Sequence, residues 1–303
     1  MPVINSHIVK RVETGTRLSD YLMGVFPSLV SRKGIKKAIK REEVIVNDKP
    51  STTAYFVRPN DKIELLESAA NPPKSYDLDL EVVFEDDYMA VINKPAGISV
   101  SGNQYRTIQN ALVKNLKLST QVDALKWAKP VHRLDNPTSG LLIVAKTAKA
   151  LVKLGQQFEN KQIQKTYVAI VNGRLPQNGT IDFDIGGLSS QTDYELVETV
   201  PSLKNEFVSL VKLFPKTGRT HQIRKHLSQL GFPIVGDKLY SKEDKVLKGK
   251  GLFLCALALS LKHPILENGL NVKCSIPTKF KALLERENRR WEKFRGNVRS
   301  SDF

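Results

Sequence analysis

Apolar residues recur at two periods along this chain, and the change of period marks where helices give way to strands. Near the amino terminus Leu18, Tyr21, Leu22, Val25 and Phe26 fall at helical spacing, and Ser31 is a good cap for the basic helix RKGIKKAIK that follows. VIVNDK then reads as a strand running into an Asn-Asp turn, and DKIELL as a second strand introduced by Pro-Asn-Asp. SAANPPKS, residues 68–75, carries no apolar period, and its small polar residues and two prolines mark a linker. Beyond it, LEVVFEDDYMAVINKPAGISV places two apolar runs around the acidic turn of Glu85, Asp86 and Asp87, which predicts a hairpin.

The centre of the chain is the stretch HRLDNPTSGLLIVAKT, residues 132–147. LLIVA is a short, partly β-branched run bounded by the turn formers Pro137, Thr138, Ser139 and Gly140, the signature of a buried strand. AKALVKLGQQFENKQ follows as an amphipathic helix with Leu151, Leu154 and Phe158 on its apolar stripe, and QKTYVAIVNGRL as another strand. Residues 179–206 hold no long periodic run and are expected to be strands and loops. EFVSLVKLFP is a strand, and KTGRTHQIRKHLSQLG a turn leading into a helix. Ile223, Leu227 and Leu230 form its stripe, while His221 and Arg224, three apart, share another face. LFLCALALSLKHPI predicts a late strand, and Lys279 through Phe294 a last, solvated helix of mixed charge.

Composition narrows the class. The 303 residues suffice for about two domains, and 41% hydrophobic content supplies an ordinary core. A net charge of +16, spread over the whole length, points to a polyanionic partner, because each Lys or Arg set on a phosphate releases counterions. LFLCALALSL falls short of the about 20 apolar residues that span a bilayer, so no membrane helix is expected. MPVINSHIVK lacks the form of a secretory signal, which makes the cytoplasm the expected location. Cys255 and Cys274 read as small core residues, and the five His form no HxxxH pair, so no metal site is expected.

The chemistry centres on Asp135. Flanked by Arg133 and placed at the mouth of a strand, its carboxylate fits a nucleophile or a base; the residues alone favour an Asp that only caps the turn. HRLD, then TSG after two residues, then AK, resembles the signature of the RluA-type pseudouridine synthases, in which this Asp is catalytic. Further features of that family recur in order: NKPAG after the hairpin, KTY at residues 165–167, GRTHQIRKH, FPIVGDKLY and the late strand ending in His-Pro. After Gly97 the chain departs from a common family form and reads ISVSGNQ. The resemblance covers roughly residues 81 to 284. The helix, helix, VNDK turn and PND strand of residues 15–67 resemble the alpha-L RNA-binding module first recognised in a small-subunit ribosomal protein.

The resemblance implies an α+β catalytic domain over residues 81–296, with a mixed, mostly antiparallel sheet and helices packed on it, joined by a linker over 68–80 to a module over 15–67. It implies isomerisation of a uridine in structured RNA, ribosomal or transfer, to pseudouridine, without cofactor or metal, by a monomer. Asp135 would act at the sugar, by attack on its carbon 1′ or by removing the 2′ proton. Tyr167 would stack on the flipped uracil and Arg224 would pair with Asp135. RNA contacts are expected from His132, Arg133, Arg219, His221 and Gln222, with Lys94 either touching phosphate or supporting the neighbouring loop. In the module, Arg32, Lys33, Lys36, Lys37, Lys40 and Arg41 would face RNA. A rival from another class is a non-catalytic RNA-binding or ribosome-assembly protein with a vestigial site. A nucleoside or glycoside hydrolase is more distant, since neither motif block holds a second acid.

Overall fold

The computed structural model describes residues 2–67, 73–241, 247 and 249–298. It contains two separate sheets. The first is built from β1 (Val3–Ile8), β2 (Val44–Val46), β3 (Lys49–Pro50) and β4 (Lys62–Leu66), with α1 (Leu18–Tyr21) and α2 (Arg32–Lys40) packed beside it. Its order is β1-β4-β2-β3. Leu18, Leu22, Phe26, Ile35, Ile39, Val44, Ile63 and Leu65 form a core of their own. Ser31 caps α2 as expected, accepting from the Gly34 amide at 3.1 Å. The edge strand β1 lies ahead of residue 15, where the sequence reading begins this unit. It shows no alternation because five of its six residues are exposed. Of the expected linker, residues 68–72 lie outside the described residues.

The larger sheet follows. Its hairpin is β5 (Glu81–Glu85) and β6 (Met89–Lys94), turned as expected at Asp86, whose Oδ1 accepts the Tyr88 and Met89 amides at 2.8 Å each. After α3 (Ile108–Asn115) come β7 (Ala124–Pro130), β8 (Ser139–Thr147), α4 (Ala148–Glu159) and β9 (Gln164–Asn172). Then come β10 (Asn178–Ile181), β11 (Thr192–Ser202), β12 (Glu206–Pro215), α5 (Gln222–Gln229), β13 (Leu254–Lys262), β14 (Gly269–Lys273) and α6 (Thr278–Val298). The main path runs β10-β11-β12-β9-β13-β8-β6-β5, with β14 on β13 and β7 on β8. The expected mixed, mostly antiparallel α+β sheet is what the chain forms.

Burial on both faces explains why β8 reads as a continuous apolar run. Leu141, Ile143 and Ala145 enter one core with Leu154 of α4 and Leu227 of α5, while Leu142 and Val144 enter another with Ile108 and Leu112 of α3. The pairing of β13 with β8 is parallel, through Cys255 with Ser139 and Ala256 with Gly140. That approach requires glycine: Gly140 sits at φ +110°, and a Cβ there would lie 2.3 Å from the Ala256 carbonyl oxygen. The Ser-Gly pair after Asp135 is therefore where the Asp135 loop enters the centre of the sheet. Cys255 and Cys274 are free and buried, as expected of core residues. No helix among the described residues is long and apolar enough to cross a membrane.

Candidate active site

Asp135 lies in the loop between β7 and β8, and that loop is fixed from below by Lys94 at the end of β6. The Lys94 side chain is fully buried, and its ammonium donates to the carbonyls of Pro95 at 2.8 Å, Asn136 at 3.2 Å and Thr138 at 2.7 Å. Two of these carbonyls flank the Asp135 turn, itself closed by the Thr138 amide on the Asp135 carbonyl at 3.0 Å. Burial pushes the Lys94 pKa down to about 8, while the charge of Asp135 acts the other way and favours the ammonium. Of the two roles open to Lys94 in the sequence, loop support is the one its geometry serves. Gly97 adds a second tie, its amide donating to the Asn136 carbonyl at 2.8 Å.

The Asp135 carboxylate faces α5. Arg224 Nη1 donates to Asp135 Oδ2 at 3.3 Å, and His221 Nε2 stands 3.7 Å from Oδ1. Arg224 is 4% exposed, and its stronger partner is one that the sequence did not single out. Arg224 Nε and Nη2 donate to the two oxygens of Asp237 at 2.8 Å each, a bidentate fork on a carboxylate that is itself fully buried. Asp237 Oδ1 also accepts the Leu239 and Tyr240 amides at 3.0 and 3.2 Å. The guanidinium is thus held along one edge by Asp237, leaving Nη1 for Asp135. Its plane rests over Tyr240, with 5.1 Å from Cζ to the ring centroid. Gly236 is needed beside it, at φ +81°, because a Cβ there would lie 1.9 Å from the Gly251 carbonyl oxygen.

His221 meets Arg224 at Asp135, as their three-residue spacing leads one to expect, but from just outside the helix. It precedes α5 as its cap, in the left-handed region at φ 57°, and its Nδ1 shares a hydrogen bond with the Tyr240 hydroxyl at 2.8 Å. That backbone turn aims the ring into the cleft with Asp135, whereas Arg224 reaches it from the first turn of the helix. Gln222 is buried instead of facing RNA. Its oxygen accepts from the Thr217 hydroxyl at 2.7 Å and the Arg219 amide at 2.9 Å, and its nitrogen donates to the Gln191 carbonyl at 2.9 Å and Thr192 Oγ1 at 3.0 Å. Its amide is used up in shaping the turn before α5. Arg219 Nε and Nη2 both reach the Ser189 carbonyl at 3.2 Å while its stem lines the cleft.

Tyr167, in the middle of β9, lines the same cavity as Asp135, Arg133, Lys165 and Arg224. Burial, and then the charge of Asp135, push its phenol pKa up, so the hydroxyl is neutral. A wider cleft of about 690 Å³ opens in front, walled by Ser99, Arg133, Asp135, Phe158, Lys165, Tyr167, Arg219 and His221. Arg133 is exposed at its rim. His132 is turned towards the core: Nε2 accepts the Ile143 amide at 3.0 Å, and the ring packs 4.7 Å from Phe158. Burial, with the nearby charge of Lys165, pushes its pKa down to about 4, so it is neutral at neutral pH. In the small sheet unit, Arg32, Lys33, Lys36, Lys37, Lys40 and Arg41 are all exposed, with Arg32 2.5 Å from Asp20 and Arg41 3.9 Å from Glu43. Among the described residues no group of His, Cys, Asp and Glu has the arrangement of a metal site.

Residues 88–229 match the family described as RNA pseudouridylate synthase. An uncharacterized RNA pseudouridine synthase of Bacillus subtilis is 33% identical over 270 residues, covering 84% of this chain and 88% of that protein. Ribosomal large subunit pseudouridine synthase D of Nitrosomonas europaea is 32% identical over 298 residues, covering 89% of this chain and 84% of that one. Among solved structures, human RNA Pseudouridylate Synthase Domain Containing 4 superposes with a TM-score of 0.55 at 25% identity, over 68% of this chain and 92% of that chain.

Proposed function

The chain belongs to the RNA pseudouridine synthase family and isomerises uridine to pseudouridine in RNA; from that premise we propose that its substrate is a uridine of large-subunit ribosomal RNA and that Asp135 is the catalytic carboxylate. The observation that carries the residue assignment is the juxtaposition in one cleft of the Asp135 carboxylate, the Arg224 fork and the Tyr167 ring. The N1 glycosidic bond breaks, the freed uracil turns, carbon 5 bonds to the same sugar carbon, and the proton that carbon 5 gives up is balanced by one gained at N1. Atoms are conserved and no redox change occurs. Both routes open to Asp135, attack on carbon 1′ or removal of the 2′ proton, need its carboxylate at the sugar, and Arg224 Nη1 holds the carboxylate in place by donating to Oδ2 at 3.3 Å. Tyr167 gives the uracil a flat apolar partner while it turns, and its hydroxyl, kept neutral by burial, assists as a hydrogen-bonding group and not as the base for the carbon 5 proton. Reaching this cleft requires the base to leave its stack. Arg133 at the rim is positioned to enter the gap, with His221 and Arg219 bordering the RNA and His132 and Gln222 supporting the loops that carry them.

Two curated relatives named for the large ribosomal subunit favour ribosomal over transfer RNA. The small sheet unit is proposed to be an alpha-L RNA-binding module. Its separate core and the exposed cations of α2 support that role, and β1 extends it ahead of residue 15. The organisation is then a module, a connection over 68–80 whose end packs on α3 through Tyr76, Leu78 and Leu80, and a catalytic domain over 81–296, acting as a monomer in the cytoplasm. The test is turnover by purified protein on transcripts of large-subunit ribosomal RNA and of transfer RNA, with pseudouridine mapped by carbodiimide-dependent primer extension. Conversion of one or a few ribosomal uridines supports the reading; conversion of transfer RNA alone overturns the substrate assignment.

A further inference from the structure

The cations that line the cleft are unequally committed. Arg224 spends Nε and Nη2 on Asp237 and Nη1 on Asp135, and Arg219 spends Nε and Nη2 on the Ser189 carbonyl. Lys165 differs. It lines both the inner cavity and the wider cleft, yet its ammonium makes one hydrogen bond among the described residues, to the Thr217 carbonyl at 3.3 Å. Two N–H donors therefore remain for a ligand. Burial lowers its pKa, the sign of a cation that has lost water without gaining a counter-charge. His132 beside it is kept neutral and offers none.

Position specifies the ligand. Lys165 and Tyr167 are two apart on β9, so their side chains leave the same face of the strand with Cα atoms about 6.6 Å apart. The β12 partner of Tyr167 is Leu213, the last residue of that ladder. Lys165 thus lies past the end of the β12 ladder while still paired with Leu259 of β13, at the edge where β12 runs out through Thr217 towards α5 and the cleft opens. A uracil on Tyr167 with its sugar at Asp135 carries its phosphate outward. The Asp135 carboxylate repels that anion from the centre of the site, and the first cation it meets along β9 is Lys165. We infer that Lys165 is a phosphate-binding residue for the flipped nucleotide, holding a phosphodiester group next to the target uridine so that the sugar is presented to Asp135.

This inference deepens the functional reading above and rests on it. The probe is a short stem–loop RNA with one loop uridine, together with two versions in which the phosphate 5′ or 3′ to that uridine is a neutral methylphosphonate. Wild type, Lys165→Met and Lys165→Arg are compared by dissociation constant, salt dependence and turnover, with thermal unfolding as the check on folding. Lys165→Met is expected to weaken binding about tenfold or more, as for a charge-assisted hydrogen bond, and to make the slope of log affinity on log salt shallower by about 0.7 to 0.9. Lys165→Arg should recover most of the affinity. One methylphosphonate should weaken wild type as much as the Met substitution does and leave Lys165→Met unchanged. Equal loss in wild type and Lys165→Met for both methylphosphonates would overturn the inference, as would lost turnover with unchanged affinity and salt slope. The binding comparison is read without product formation, so absence of pseudouridine would count against the functional reading and leave the Lys165 result to stand or fall on affinity.

Discussion

Removing Asp237 tests whether the Asp135–Arg224 pair proposed for catalysis is held by a second, buried carboxylate. Asp237 is fully buried and receives two charge-assisted hydrogen bonds from Arg224 at 2.8 Å, each worth about 1.5–3 kcal/mol. Their sum, about 3–6 kcal/mol, agrees with the about 3–5 kcal/mol typical of breaking a buried ion pair by removing one partner. Asp237→Asn keeps the shape, but its amide group meets a guanidinium that can only donate, so most of that energy should be lost. Arg224→Met should cost a similar amount by stranding a buried carboxylate. The double variant Arg224→Met, Asp237→Asn strands neither charge, and its loss should fall short of the sum of the single losses by about 2 kcal/mol or more. Urea unfolding followed by the near-ultraviolet signal of the catalytic body gives all three values. Turnover of Asp237→Asn should fall at least tenfold with RNA affinity nearly unchanged, because Nη1 is no longer aimed at Asp135. Additive losses, or an Asp237→Asn variant with wild-type stability and turnover, would refute the clamp.

Three further outcomes follow from the geometry. Tyr167→Phe should retain stacking and part of the turnover while Tyr167→Ala loses both, measured as an activity order on folded protein; equal activity in all three would show that Tyr167 only fills the core. Lys94 has a folded-state pKa of about 8 against an unfolded value near 10.4, so the unfolded chain binds more protons between those limits and stability should rise with pH across that window. Lys94→Met should flatten the rise by up to about 3 kcal/mol, read as urea midpoints from pH 7 to 10.5; an identical pH profile in the variant would contradict the assignment. Deleting residues 1–70 should leave a folded catalytic body that still turns over at high RNA concentration, binds more weakly and shows a shallower salt slope. An unchanged slope and affinity would show that the small unit does not touch this RNA.

Much of the site was legible because its residues sit in contiguous motifs whose local patterns also fix their elements. Gly140 illustrates this: the TSG that ends the Asp135 loop has its glycine where β13 crosses at backbone distance. What sequence could not give is pairing between segments. Asp237 lies in the FPIVGDKLY block with nothing in the sequence to mark a role for it, and only the packing of that segment against α5 makes it the partner of Arg224. The helical period assigned His221 to the helix face of Arg224, yet the helix starts one residue later, after a left-handed His221. Gln222 has an ordinary polar identity, and its burial follows from four hydrogen bonds to residues brought in by β11 and the preceding turn. The strand β1 was silent because an exposed edge strand needs no apolar alternation. The strand β7 mixes Lys with apolar residues and pairs irregularly with β8.

The most direct measurement is a map of pseudouridine in ribosomal RNA from cells carrying the gene, lacking it, and lacking it but supplied with either the wild-type or the Asp135→Asn protein. The proposed function predicts that one or a few large-subunit positions lose pseudouridine on deletion, regain it with wild type, and stay unmodified with Asp135→Asn although that protein is folded and binds RNA. Unchanged pseudouridine at every position on deletion, or full restoration by Asp135→Asn, would contradict the account.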